Sequence, residues 1–401
     1  MKNIFTLLFI ACFMLSVIFS FSQGTWTQKT NYGGAARYGA AGFTIGTKAY
    51  VGMGYSGAAY FQDFWEWDQT TDIWTQKASL PGVGRFGAVC FSIGTKGYIG
   101  TGYTPSYVQD FWEWDQATDT WTQKANFGGT GRYMAVGFSI GTKGYVGTGA
   151  GSGFTNDFWE WNQASDTWAP KANFAGTARS GAAGFSIGTK GYIGTGLDGI
   201  GPYTQDFWEW DQATDTWTQK AGFPGVARLY ARGFSIGNKG YIGTGFSSAP
   251  LQDFWAWDQA TDAWTQKANL TGSARHLAIG FSIGTKGYIG TGWNSTIYFQ
   301  DFYEYTPDTL VITGEDDLPA GVTCSVYPNP AQQAFTIAFS TSVINAALDI
   351  YNIYGEKIKT INNISGNKIK IERGNLVSGI YFIHLVQQNK TIAADRLIIT
   401  W

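Results

Sequence analysis

Segments of strand length follow one another along most of this chain, each bounded by residues that favour turns. Residues 86–93 and 97–102 read as two strands joined by the tight turn Gly94-Thr95-Lys96. A third strand covers residues 111–114, and a fourth begins at Trp121 beyond the Asp-rich turn from Asp115 to Asp119. The same four-strand unit then returns. Asp-Phe-Trp-Glu-Trp-Asp or a close variant starts at Asp63, Asp110, Asp157, Asp206, Asp253 and Asp301, at intervals of 47, 47, 49, 47 and 48 residues. Trp-Thr-Gln-Lys or a variant starts at Trp26, Trp74, Trp121, Trp168, Trp217 and Trp264.

Four antiparallel strands per repeat at this period make one blade of a β-propeller. Residue size agrees with radial blades. The first strand of each unit, here called a, is rich in Gly and Ala (Gly39 to Gly42, for example), which suits the crowded axis. The third and fourth, c and d, carry Trp65, Trp67 and Trp74, which suit the wider outer gap. The array starts with a lone strand d at Trp26 and ends on a strand c at residues 302–305, so the N-terminal strand completes blade six and removes both open edges. The expected fold is all-β: a six-bladed propeller over residues 23–306, a linker over 307–322 and a small antiparallel β-sandwich over 323–401.

The repeat, with an arginine such as Arg132 before strand a and Gly-Tyr-Val-Gly-Thr-Gly at 144–149, resembles kelch repeats, in the bacterial branch related to the central domain of galactose oxidase. A Thr separates the glycines that are usually adjacent after strand b. In the last segment, Tyr327-Pro328-Asn329-Pro330, the run from Ile350 to Gly355, the run from Leu376 to Tyr381 and a closing strand at 396–400 resemble the C-terminal sorting domain of type IX secretion. That resemblance implies export across the outer membrane of a Bacteroidetes-type cell, with the type IX machinery as a partner. Residues 1–22 read as a signal peptide: Lys2, an apolar stretch at 4–19, then Ser20-Phe21-Ser22 before Gln23. The expected location is secreted or at the outer cell surface.

Composition narrows the chemistry. Aromatic residues make up 17% of the chain and charged residues only 14%, with a net charge of −2 and no basic run, which argues against a nucleic-acid partner. The mature chain keeps Cys90 and Cys324, in different domains, so no disulfide framework is expected. Two histidines cannot assemble a galactose-oxidase-like copper site, and no zinc cluster, P-loop or nucleophile elbow is present, so no cofactor or metal is called for.

Three constellations remain. Arg37, Arg85, Arg132, Arg179, Arg228 and Arg275 stand one per blade before strand a. They form either a positive ring at one channel mouth, as in kelch proteins that bind acidic peptides, or internal pairs with the six repeating aspartates at the same end of the blades. Secondly, the loops between strands b and c differ in every blade, and they bring Tyr55, Tyr60, Tyr103, Tyr107, Tyr203, Trp293 and Tyr298 to the face that also carries the d–a loops. Thirdly, blade five departs from its siblings. Arg232 replaces Ala41, Val89, Val136, Ala183 or Ile279, Tyr230 stands two residues earlier, and Ala256 replaces the repeating Glu. Period-2 alternation puts Tyr230 and Arg232 on one strand face, with His276 in the neighbouring innermost strand. They line the channel and receive an anionic group, unless Arg232 pairs with Glu209 or Glu304 or fills the space left at Ala256. The function expected is that of a monomeric extracellular module binding a glycan or a protein through the variable face. The alternative is a carbohydrate-active enzyme, an epimerase, mutarotase or lyase, working through channel Arg and carboxylates.

Overall fold

The computed structural model describes residues 23–199, 201, 203–307, 322–352, 357–388 and 390–400. The signal-peptide segment 1–22 and nearly all of the expected linker lie outside them. The chain separates into two compact units, divided after residue 310.

The first unit is six four-stranded antiparallel sheets. The innermost strands are Ala41–Ile45, Val89–Ile93, Val136–Ile140, Ala183–Ile187, Arg232–Ile236 and Ile279–Ile283. In five sheets the strands follow chain order; in the sixth, Thr25–Lys29 pairs with Phe302–Thr306, placing Trp26 opposite Tyr305. The N-terminal strand therefore completes blade six.

Each sheet packs its two faces against its neighbours, and residue size decides the fit. Phe43 of blade one lies where a Cβ on Gly97 of blade two would be, and Phe91, Phe138 and Phe185 stand in the same way over Gly144, Gly191 and Gly240. At larger radius Trp67, Trp114, Trp161, Trp210 and Trp257 are fully buried. Truncating one such Trp to Ala would cost about 3–5 kcal/mol.

Polar links tie blade to blade at this radius. The Gln116 amide donates to the Tyr50 hydroxyl of the preceding blade at 2.7 Å, and Tyr50 donates to Glu66 at 2.9 Å. Asp119, at the c–d turn, accepts from the Ala78 amide of the preceding blade and from Trp114. Blade six has no c–d turn, and the Gln23 carbonyl takes over that role, accepting from the Ala268 amide at 2.9 Å and the Tyr305 hydroxyl at 3.0 Å. Ala256, which stands in place of the repeating Glu, packs in the same outer cluster with Trp26, Tyr241 and Tyr305.

The second unit is one antiparallel sheet of five strands: Cys324–Tyr327, Ala334–Asn352, Lys357–Glu372, Gly379–Gln387 and Lys390–Ile399. The alternating pattern reads as two strands, 334–339 and 347–354; residues 353 and 354 lie outside the described residues, and Ala334–Asn352 is one continuous strand. It bends through shifts of register between Ala338 and Leu348, with Asn345 at φ 51°, instead of breaking at a turn. The bend lets the first half pair with Cys324–Tyr327 and the second with Gly379–Gln387, curling the sheet around Ile337, Leu348, Ile350, Ile383, Leu385 and Leu397.

Candidate functional site

The d–a and b–c loops meet at one end of the propeller, around the channel mouth. Two closed circuits of backbone hydrogen bonds shape it. In the first, the amides of Gly39, Gly87, Met134, Gly181, Tyr230 and Leu277 each donate to the carbonyl of the corresponding residue in the preceding blade, at 2.7–3.3 Å. All six have positive φ, between 54° and 65°. In the second, Gly54, Gly102, Gly149, Gly196, Gly245 and Gly292 donate to the carbonyls of Arg85, Arg132, Arg179, Arg228, Arg275 and Arg37 of the following blade, at 2.7–2.8 Å. A ring closed by backbone alone leaves the side chains of this end free to vary.

The six repeating arginines are not a positive ring. Each is buried and bound to the aspartate of its own blade. Arg132 donates through Nη1 and Nη2 to Asp157 at 2.5 and 2.8 Å, through Nη1 to the Thr148 carbonyl and through Nε to the Thr130 carbonyl. Trp159, two residues after Asp157, donates its indole N–H to the same carboxylate at 2.8 Å. That bond explains the Asp-x-Trp spacing of the repeat. Burial alone would raise the Asp157 carboxyl, but the bonds from Arg132 and Trp159 outweigh it and hold the group below its ordinary value. The pairs are scaffold.

Above them lies a belt of aromatic rings. Tyr38, Phe86, Tyr133 and His276 occupy the position after the repeating arginine in blades one, two, three and six. Tyr38 stacks on Trp293 at 5.5 Å and touches Tyr55 at 5.7 Å and Phe86 at 5.6 Å. Phe86 continues to Tyr103 and Tyr133, and Tyr107 stacks on Tyr133 at 5.8 Å. Blade four has only Ser180 and Gly181 at this level. The ring of Tyr230 leans over Gly181 to fill the gap, reaches the Tyr133 hydroxyl and stacks on His276 at 6.1 Å. His276 contacts Phe246 and Trp293, each at 5.2 Å, which closes the belt. Most of these rings are half-buried, and Tyr107 is 43% exposed. Burial, reinforced by the neighbouring Tyr298, Tyr55 and Tyr60, pushes the Tyr38 hydroxyl up to about 12. His276 is buried, neither ring nitrogen has a partner among the described residues, and desolvation drives its pKa down to about 4, so the imidazole is neutral.

Below the belt the innermost strands line a channel cavity of about 100 Å³ with Ala, Gly, Val and Ile279. Arg232 and Cys90 are the exceptions. Arg232 donates through Nε to the Ala278 carbonyl of blade six and makes no ion pair among the described residues. Cys90, standing where the other five blades have Gly, both accepts from the Gly42 amide and donates to its carbonyl, at 3.1 Å each. Burial pushes this thiol up, and the nearby Arg232 charge offsets part of that.

Several expectations change. Tyr230 and Arg232 do not share a strand face. With φ 58°, Tyr230 precedes the strand and leans over blade four, while Arg232 leans the other way over Gly280 of blade six. His276 is not in the innermost strand, which starts at Ile279; it pairs with Trp293 in an isolated bridge. Glu209 and Glu304 do not pair with Arg232: they accept from Tyr192 and Tyr288 and sit beside Lys190 and Lys286. Nor does Arg232 fill the space at Ala256, since it stands on the innermost strand opposite Gly243 and Ala256 faces Tyr241. Tyr55, Tyr103, Trp293, Tyr230 and His276 do come together in the belt, and Tyr203 lies close enough to Tyr230 to affect its ionisation. Sequence reasoning missed Tyr38, Phe86, Tyr133 and Cys90. The signal was there, in the column following each repeating arginine and in the one thiol among glycines.

No curated protein matches the chain. A solved structure described as "Structure of YjhT" is similar with a TM-score of 0.61, covering 68% of this chain and 95% of that one at 15% identity, a likeness of fold alone. A family model for the secretion system C-terminal sorting domain matches residues 325–400. The C-terminal unit is therefore a type IX sorting domain, and the protein is one that this secretion system delivers to the cell surface or the extracellular space.

Proposed function

We propose that the propeller is an extracellular kelch-type binding module that docks a neutral glycan on the aromatic belt around its channel mouth. One observation carries the reading: the belt is continuous and partly exposed, and its face is nearly free of available charge. The repeating arginines and aspartates of this end are bound to each other. Asp198 is the only other carboxylate in these loops, and it accepts from the Thr177 hydroxyl and the Gly201 amide. Aromatic faces flanked by tyrosine hydroxyls and loop carbonyls suit the apolar faces and hydroxyl rims of sugar rings. An acidic peptide would find no free cation in these loops. A lyase or epimerase mechanism needs acid–base groups within reach, and the carboxylates of this face are committed to other bonds.

The test is a titration of the mature protein with neutral and acidic oligosaccharides, followed by tryptophan fluorescence. Neutral sugars should bind, and Trp293→Ala should weaken them at least about tenfold. Binding confined to acidic sugars, or to protein ligands with no glycan response, would overturn the reading.

A further inference from the structure

The channel cavity contains a charge that the scaffold does not use. Arg232 is one of seven arginines in the propeller, and the other six each hold a carboxylate in a bidentate grip. Arg232 holds none. Its Nε is taken by the Ala278 carbonyl, and its two terminal nitrogens make no hydrogen bond to any described residue. They border a cavity of about 100 Å³ whose other walls are Ala40, Gly42, Ala88, Ala135, Ala182 and their neighbours. An unpaired cation in such a place is costly unless water or a counter-charge answers it.

We propose that this cavity is a binding site for one small monovalent anion, of the size of chloride, nitrate or formate, held by the terminal nitrogens of Arg232. Three features set the class. There is one positive charge to neutralise, so a dianion such as sulfate would leave a net negative charge among alanines and glycines. The volume admits a small ion with a few waters, each needing about 10–15 Å³ by the same measure, but not a sugar. The side chain facing Arg232 is the Cys90 thiol, a weak donor that burial keeps protonated, so no carboxylate competes for the guanidinium. The site lies beneath the belt and does not depend on the glycan reading.

The experiment compares the mature protein with Arg232→Met, a neutral chain of similar length. With chloride replaced by gluconate at constant ionic strength, the wild-type melting midpoint should fall by roughly 2–6 °C while that of the variant stays put. Chloride-35 resonance should broaden with the wild type and lose that broadening with Arg232→Met. Should the variant not fold, Cys90→Asp offers a second route. A carboxylate supplied across the cavity should pair with Arg232, displace the ion and abolish the broadening with the arginine still present. Broadening that survives both substitutions would put the bound chloride elsewhere on the protein, and a wild type indifferent to chloride against gluconate would show that water alone fills the cavity; either result overturns the site.

Discussion

The two ends of the propeller are made from the same six repeats and solve opposite problems. At the end formed by the a–b and c–d turns, one arrangement recurs: a lysine such as Lys48, Lys143 or Lys190 beside the Glu or Asp of strand c, and a turn aspartate such as Asp119 or Asp166 accepting from the preceding blade. Charge there is plentiful and paired. At the other end the charges are buried beneath the mouth, and the side chains around it vary from blade to blade. Repetition marks the residues that hold blades together. Variation concentrates at positions that the two backbone circuits have already freed from that work, with Cys90, Arg232 and Ala256 the departures inside strands that bear on the channel and the seam.

The strongest way to break the comparison is at the seam. Residues 23–30 contribute the outer strand of blade six, the Gln23 carbonyl and Trp26, whose indole donates to the Ala268 carbonyl. Deleting them from the mature protein leaves an open sheet edge. It should remove more than about 5 kcal/mol of stability, beyond the usual range of single substitutions. A cooperative denaturant transition close to that of the wild type would show that the ring closes without this strand.

Next in size are the buried pairs. Arg132→Ala strands the Asp157 carboxylate and should cost about 3–5 kcal/mol in urea unfolding, whereas Arg132→Met with Asp157→Leu should recover much of the loss. The matching pH dependence has a definite sign. Asp110, Asp157 and Asp206 are held below their ordinary values, so their contribution is present above the unfolded carboxylate pKa and is lost as pH falls through the folded one. If Arg132→Ala unfolds like the wild type, the arginine is not scaffold and the contrast between the ends loses its basis.

How far these assignments were legible in sequence follows from the same contrast. Six blades and the seam at Trp26 rest on repetition, which period and counting expose. Repetition also lined up six arginines with six aspartates, but left a free positive ring open beside the pairing until the structure showed the pairs. Tyr230 and Arg232 were misjudged because alternation assumes extended backbone. The circuit of residues at positive φ reverses the side-chain direction just before the strand begins. Tyr38, Phe86 and Tyr133 were overlooked because each precedes strand a, within a segment read as Gly- and Ala-rich. Cys90 looked like a lone thiol until the structure placed it across from Arg232. The long bent strand at Ala334–Asn352 was divided in two because its bulge falls at Ser340 to Asn345, residues that also suit a turn.

A smaller effect separates His276 from the scaffold. The folded state keeps its imidazole neutral down to about pH 4, while an unfolded chain protonates near 6.5. As pH falls the unfolded state takes up the proton first, so stability drops between about 6.5 and 4 and levels off below. No carboxylate is among the Tyr230, Phe246 and Trp293 rings packed on it. His276→Leu, the side-chain type blade five carries at Leu229, should flatten that part of the wild-type profile. Parallel profiles for the two proteins would mean that the histidine is open to water.

The least disruptive substitutions give the sharpest reading of the two ends, because stability then stays out of the way. Tyr107 is exposed at the belt rim and touches Tyr103 and Tyr133 at its inner edge. Lys96, at the opposite end of the same blade, pairs with Asp115 near the surface. Surface ion pairs contribute about 0–1 kcal/mol, and truncating an exposed tyrosine costs a similar amount, so Tyr107→Ala and Lys96→Ala should melt within a few degrees of the wild type. Their effects on binding should part. Loss of one rim ring should cut glycan affinity several-fold, whereas loss of the lysine should leave it unchanged. If Lys96→Ala weakens the ligand and Tyr107→Ala does not, the binding face is the repetitive one, and variation among the loops marks tolerance to substitution instead of a site.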